Sequence, residues 1–316
     1  MTRLLLQRLA GGAATLLLVA CLTFGLLRAM PGGPFDREHR LPAAIQANME
    51  ARYHLNKPWP QQLGYYLAGL AHGDLGPSYQ YATRRVNDIL ADAFPVSLLL
   101  GALALTLGVG LGGALGALAG WTQRRPLDAT LCGIGALALS TPAFVFGGAL
   151  ALIFALWLKW LPAARLLSPT HGILPVLTLA LGPFAFAFML LRTSVRQTRA
   201  LPFVTIKRSL GAPESRIALR HVLRNSLLPL LSIMGPLAAA LVTGSFVVET
   251  LFAIPGMGKY FVTAVSNRDY PLVMGATLVY SALLIALNLV TDLLYGWLDP
   301  RLRDIGSAPS GGDART

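Results

Sequence analysis

Apolar residues run along this chain in long unbroken stretches, and the charged residues collect between them. Six long windows contain no Asp, Glu, Lys or Arg: 9–27, 93–123, 129–158, 166–191, 225–248 and 270–291. A helix rises about 1.5 Å per residue, so about 20 residues cross a hydrocarbon core of about 30 Å. The shortest window has 19 residues, enough to span. The apolar positions are continuous instead of alternating, and backbone groups in lipid must be satisfied within their own segment, so the pattern predicts helices and not a barrel. The expectation is an all-α, polytopic membrane protein of six transmembrane helices. Pro142, Pro183, Pro229 and Pro236 fall inside windows and are expected to kink helices without abolishing them.

Composition agrees. Of 316 residues 54% are apolar and 13% charged, about half of the roughly 25% charge of a soluble domain. Two cysteines cannot staple a chain of this length, so Cys21 and Cys132, both in apolar runs, read as small buried hydrophobes.

Basic residues in short loops resist translocation and set orientation. With the N-terminus in the cytosol, the cytoplasmic pieces 1–8, 124–128, 192–224 and the tail hold 2, 2, 8 and 3 Lys/Arg, against four in the short external loops (Lys159, Arg165, Lys259, Arg268). Both termini are therefore expected inside, and the net charge of +12 is mainly topology. A nucleic-acid partner is excluded, because the basic cluster sits between membrane spans and not on a soluble face with interleaved aromatics. Arg3 and Arg8 before an apolar run, and Leu18-Val19-Ala20-Cys21, imitate a signal peptide and a lipoprotein box. The run continues through Leu27 and five more windows follow, so 9–27 is expected to remain as the first helix.

These boundaries divide the chain into 1–30, a first transmembrane helix with cytoplasmic N-terminus; 31–92, an external segment; 93–300, a five-helix core with a cytoplasmic loop at 192–224; and 301–316, a cytoplasmic tail. About sixty residues without structure would be unusual, so 31–92 is expected to fold, with helices near 41–53 and 59–71. In 93–123, Gly108, Gly112, Gly116 and Gly120 repeat every four residues on one helical face. Lipid gives no hydrophobic drive for helix association, so such a row marks the close approach of another helix. Phe184, Phe186 and Phe188 are read as core or lipid-facing before they are read as a passage.

The most informative stretch is 192–224, with eight Lys/Arg and one Glu. It is too long for a hairpin turn, and two short helices joined at Gly211 fit it best. Gly211 takes φ > 0 to end the first, Pro213 suits the first turn of the second, and Glu214 complements its positive end. Ile217 and Leu219 are expected to offer apolar contacts between basic faces. Such an element rests on anionic headgroups or docks in a groove of a soluble partner.

The ten-residue step from Gly211 to His221, followed by Leu223-Arg224-Asn225-Ser226-Leu227-Leu228-Pro229, resembles the EAA-type loop of binding-protein-dependent ABC importer permeases. Further motifs resemble the oligopeptide/dipeptide permease family: Tyr53-His54-Leu55-Asn56-Lys57-Pro58, His72-Gly73-Asp74-Leu75-Gly76, Phe94-Pro95-Val96-Ser97, Val248-Glu249-Thr250, Pro255-Gly256-Met257-Gly258 and Asn267-Arg268-Asp269-Tyr270. The resemblance covers nearly the whole chain. It departs at Lys207 and Ser209, where the family favours small residues, so the first loop helix is more polar than the pattern.

The resemblance implies a type I ABC importer permease-like fold in a bacterial inner membrane, importing oligo- or dipeptides, with nickel or another small solute as the alternative cargo. It implies a second homologous permease subunit, two cytoplasmic ABC ATPase subunits, an external solute-binding protein and membrane lipid as partners, and no cofactor. The coupling residues would be Thr205, Lys207, Ser209, Gly211, Ala212, Pro213, Glu214, Arg216 and His221.

The residues support that division of labour. A phosphate-binding G-x-x-x-x-G-K-[ST] is missing: the nearest string, Gly256-Met257-Gly258-Lys259-Tyr260, has Ala253 where the first glycine belongs and Tyr260 in place of a magnesium-ligating hydroxyl. ATP hydrolysis is therefore expected on other chains, and with five scattered histidines no metal site is expected either. An ion-coupled secondary transporter would need midplane carboxylates, whereas Glu249 and Asp292 lie at window ends. Glu249 is read as a contact for a peptide amine in the substrate pathway or as a structural partner for an arginine.

Overall fold

The computed structural model describes residues 2–31, 55–81, 83–242 and 244–298; the helix expected at 41–53, the tail 301–316 and the side chain of Asp292 lie outside them. In chain order the helices are α1 (Thr2–Ala29), α2 (Trp59–Ala71), α3 (Val86–Trp121), α4 (Arg125–Ser140), α5 (Ala143–Leu150) with π-helical turns over Ala151–Trp157, and α6 (Ile173–Arg199). Then come α7 (Pro202–Ser209), α8 (Glu214–Arg216) running through π-helical Ile217–Leu223 into α9 (Arg224–Ser226), α10 (Leu228–Val242), α11 (Phe246–Leu251), α12 (Met257–Asn267) and α13 (Tyr270–Leu298).

Among the described residues, five stretches are long and apolar enough to cross a bilayer: Leu6–Ala29, Val86–Trp121, Pro169–Arg199, Leu228–Leu251 and Tyr270–Thr291. The window at 129–158 supplies a sixth only if α4 and α5 count as one span, because they meet at 104°. Pro142 therefore does more than kink. It brings no N–H to the ladder, and its ring forces Thr141 to ψ 119, outside the helical region, so α4 stops at Ser140. Pro183 and Pro236 stay inside continuous helices, and Pro229 sits in the first turn of α10, where a missing donor costs nothing.

The centre of the bundle is the contact between α3 and α6, and it is a backbone contact. A Cβ added at Gly108, Gly112, Gly116 or Gly120 would come closer than 3.0 Å to the carbonyl oxygens of Ala180, Phe184, Phe188 and Arg192 respectively. The partner positions also repeat every four residues, so two such rows lie in register. Phe188 is fully buried, its ring filling the space that Gly135 of α4 leaves, and it stacks with Phe184 at 6.3 Å. Phe186 points out of the chain, 53% exposed. Phe184 is half-buried and lines an apolar cavity with Gly108, Leu111 and Ile134.

At the end of α3 remote from 192–224, residues 55–81 and 83–85 fold onto the bundle. Asp269, fully buried before α13, accepts from the Ser78 hydroxyl and, at 3.1 Å, from the Tyr79 N–H. Asn87 holds the turn at Gly73–Leu75 through its side-chain amide, at 2.7 and 2.9 Å. Beneath lies a cluster of Phe24, Leu27, Val86, Ile89, Met257 and Met274, which joins α1, α3, α12 and α13.

Candidate functional site

At the opposite end, α3 and α6 finish together. The Arg199 guanidinium donates to the Trp121 carbonyl at 2.6 Å and lies 5.1 Å from the centre of its ring. The chain then leaves the bundle, and Pro202 opens α7 at a position where its missing N–H is harmless.

α7 is anchored through one face. Val204 and Ile217 are fully buried, with Val195 and Val222 beside them and Ala117, Trp121, Phe203 and Ala212 packed around. Burying one such aliphatic side chain is worth about 1.5–3 kcal/mol, so the cluster ties α7 and the 217–222 turn to the ends of α3 and α6. The other face is bare: Ile206 (57% exposed) and Leu210 (74%) stand four residues apart, one turn above the other.

The elbow is a Schellman motif. Gly211, at φ +75, donates to Arg208 O at 3.0 Å, and Ala212 donates to Lys207 O at 3.2 Å, closing the last carbonyls of α7. Pro213 then starts α8, and its carbonyl accepts from Arg216 and Ile217. Glu214 complements that helix end and also meets Arg208 across the elbow, with Nη2 to Oε2 at 3.1 Å. The hydrogen bond from Arg208 holds the Glu214 carboxyl below the usual carboxylate range and raises the guanidinium above its own. Beyond the elbow, Ser226 fixes the approach to α10: its hydroxyl donates 3.1 Å to Thr198 Oγ1.

Thr205, Lys207, Ser209, Gly211, Pro213, Glu214 and Arg216 are all exposed on this one projection, whereas Ala212 and His221 are half-buried at its base. Ser209 turns its hydroxyl back to the Thr205 carbonyl at 3.1 Å, so its polarity is satisfied within α7. The expectation for Ile217 and Leu219 needs correcting, because the two separate: Ile217 is an interior anchor and Leu219 is 67% exposed. Residues two apart on a helix face different directions. Sequence reading also passed over Val204, Val222, Ile206 and Leu210. Their only signal was that apolar residues recur within an otherwise charged loop.

Glu249 is held by donors of this chain. It is 2% exposed, its Oε1 accepts from the Ser97 hydroxyl at 3.0 Å, and its Oε2 accepts from the Lys259 N–H at 2.7 Å. Ser97 in turn accepts from the Met257 N–H at 2.9 Å. A Cβ on Gly244, Gly256 or Gly258 would run into the carboxylate or its supporting backbone. The phosphate-loop look-alike at 256–260 is thus an anion cradle filled by the chain's own carboxylate at the N-terminus of α12. The arrangement staples α3, α11 and α12 together, with the acid buried within the chain. Among the described residues, no group of three or more His, Cys, Asp or Glu is placed to hold a metal ion.

Residues 112–304 match the family of binding-protein-dependent transport system inner membrane components. The chain is 40% identical over 303 residues to the dipeptide transport system permease protein DppB of Bacillus subtilis (strain 168), covering 96% of this chain and 98% of that protein. It is 39% identical over 305 residues to the oligopeptide transport system permease protein OppB of Haemophilus influenzae, and 40% identical over 305 residues to OppB of Escherichia coli (strain K12), in each case covering 96% of this chain and all of the relative. A multi-span helical bundle with a Schellman elbow at Gly211, matched over nearly its whole length, belongs to the oligopeptide/dipeptide permease family of binding-protein-dependent inner-membrane components.

Proposed function

We propose that the chain is one of two homologous permease subunits of an ATP-driven importer of di- or oligopeptides in a bacterial inner membrane. Its N- and C-termini face the cytosol, residues 31–92 face outward, and peptide arrives from an external solute-binding protein. Two separate ABC ATPase subunits dock on the α7–α8 projection, contacting Thr205, Lys207, Ser209, Gly211, Ala212, Pro213, Glu214, Arg216 and His221 or the backbone they shape. The observation that carries this reading is the two-faced construction of α7. Val204 and Ile217 fasten it to the ends of the spans, while Ile206 and Leu210 are left for another surface.

A force on α7 is transmitted because α8 and α9 run into α10 with only Leu227 between them. Switching access nearly completely requires the ATP-bound ATPases to favour one permease conformation by about 5 kcal/mol. The cargo assignment rests on the dipeptide and oligopeptide permeases that the chain is similar to.

The test is reconstitution in proteoliposomes with the second permease, the ATPases and the binding protein. Peptide uptake should need ATP and every subunit, and Ile206→Ser/Leu210→Ser should release the ATPases from the membrane fraction. ATP hydrolysis by this chain alone, or ATPases retained by the double variant, would overturn the reading.

A further inference from the structure

A second basic feature lies beside that projection and shares Arg208 with it. A cavity of ≈ 500 Å³ opens between the start of α4, the end of α6 and α7, and it is lined by Arg124, Arg125, Arg196, Arg199 and Arg208 with Asp128 as the one carboxylate. Asp128 is already engaged: Arg192 holds it with two hydrogen bonds at 2.9 and 3.1 Å, and Arg196 adds one at 2.6 Å. Arg199 is satisfied by Trp121 and Arg208 by Glu214. Among the described residues the side chains of Arg124 and Arg125 have no hydrogen bond or ion pair. The positive end of α4, a helix of 16 residues, opens on the same space, with no side-chain cap on its first N–H groups.

Arg124 and Arg125, without side-chain partners among the described residues, stand beside Arg196, Arg199 and Arg208, whose partners include two carboxylates, Asp128 and Glu214, and the set leaves an excess of positive charge in a small volume. The group that satisfies such a set is an anion with several oxygens, because guanidinium forks bind phosphate oxygens in pairs and uncapped helical N–H groups add to them. We propose that this cavity is a binding site for a phosphate-bearing anion. The phosphate has two sources. It is the headgroup of an anionic phospholipid, since the cavity lies at the rim where α3 and α6 end and basic pockets between spans hold such headgroups; or it is a free polyphosphate. In both cases the occupant touches Arg208, so it bridges the rim of the bundle to α7.

The purified, delipidated full chain tests the proposal, with cardiolipin, phosphatidylglycerol, phosphatidylcholine and tripolyphosphate as separate probes and binding read by native mass spectrometry. The variant is Arg124→Gln/Arg125→Gln, which breaks no ion pair among the described residues. The charge-matched control is Arg220→Gln/Arg224→Gln, on exposed residues outside the cavity. Wild type and control should retain cardiolipin or phosphatidylglycerol over phosphatidylcholine, and the variant should lose at least about tenfold in affinity. If the source is soluble, tripolyphosphate binding shows that same loss and the lipids do not. Equal binding by variant and control, or no binding of any anionic probe to wild type, overturns the site. Should the double variant fail to insert, Arg125→Gln alone is read against Arg224→Gln in the same way.

Discussion

Gly112 of α3 lies so close to Phe184 of α6 that a β-carbon on it would fall within 3.0 Å of the Phe184 carbonyl oxygen. The neighbour there is backbone and cannot rotate away, so the helices must separate to admit a methyl group. Gly112→Ala and Gly116→Ala should each destabilise the purified chain by about 1–3 kcal/mol, read as earlier thermal unfolding in detergent. Gly110, two residues away with nothing within 4 Å of an added Cβ, is the internal control. Gly110→Ala should be neutral or slightly stabilising, because alanine is the better helix former.

That contact was legible in the sequence because its cause is periodic. Four glycines at four-residue spacing define a face whatever surrounds them, and charge-free windows define spans in the same way. The elbow was equally legible, since a glycine followed two residues later by proline restricts the backbone locally. What could not be read depends on distant chain. The acceptors and donors around Glu249 lie on Ser97 and Lys259, and nothing near Glu249 announces a serine 152 residues earlier. The division of Ile217 from Leu219 likewise depends on where α3 and α6 end, and the right-angle break at Pro142 on how α4 and α5 pack once the ladder is interrupted.

Glu249 yields a prediction that separates a staple from a substrate contact. Glu249→Ala leaves the Lys259 N–H and the Ser97 hydroxyl without their acceptor inside the protein, a loss of about 3 kcal/mol or more for a buried charged partner. Glu249→Gln puts an amide donor against donors and should fall between. In variants that still assemble, uptake of charged and uncharged peptides should decline in parallel. A selective loss of cationic peptides would instead place Glu249 in the pathway.

Gly211 holds φ +75 with open space around its α-carbon, so its constraint is conformational and not steric crowding. Gly211→Val forces a β-branched residue into a left-handed conformation at a cost of about 1–3 kcal/mol, and the segment should relieve it by re-aiming α7. Membrane insertion should be intact while peptide-stimulated ATP hydrolysis falls severalfold. Gly211→Asn, which tolerates the same backbone, should recover most of the coupling. Equal coupling in all three chains would show that the elbow angle does not matter.

The Arg208–Glu214 pair predicts a flat response to pH. The hydrogen bond from Arg208 lowers the folded-state pKa of Glu214, so the pair's contribution is complete above the ordinary carboxylate pKa and fades only as pH falls through the depressed value. Both side chains are exposed, so salt should weaken the pair. Coupling measured through the neutral range should therefore not vary on account of Glu214. The deficit of Glu214→Gln should be the same at each pH and shrink at high ionic strength.

Accessibility of single cysteines tests the orientation and the two-faced segment together. In a background with Cys21 and Cys132 replaced by alanine, Leu210→Cys and Leu219→Cys occupy exposed positions, and Val204→Cys a buried one. With residues 192–224 in the cytosol, a membrane-impermeant maleimide added to intact cells should leave all three unlabelled. After permeabilisation positions 210 and 219 should react, while 204 stays protected by the anchor cluster. Adding the ATPase subunits should then slow labelling at 210 severalfold, because a docked surface excludes the reagent. Labelling of 210 in intact cells would place the projection outside, beyond the reach of any ATP-driven partner, and would falsify the coupling role for every residue assigned to it.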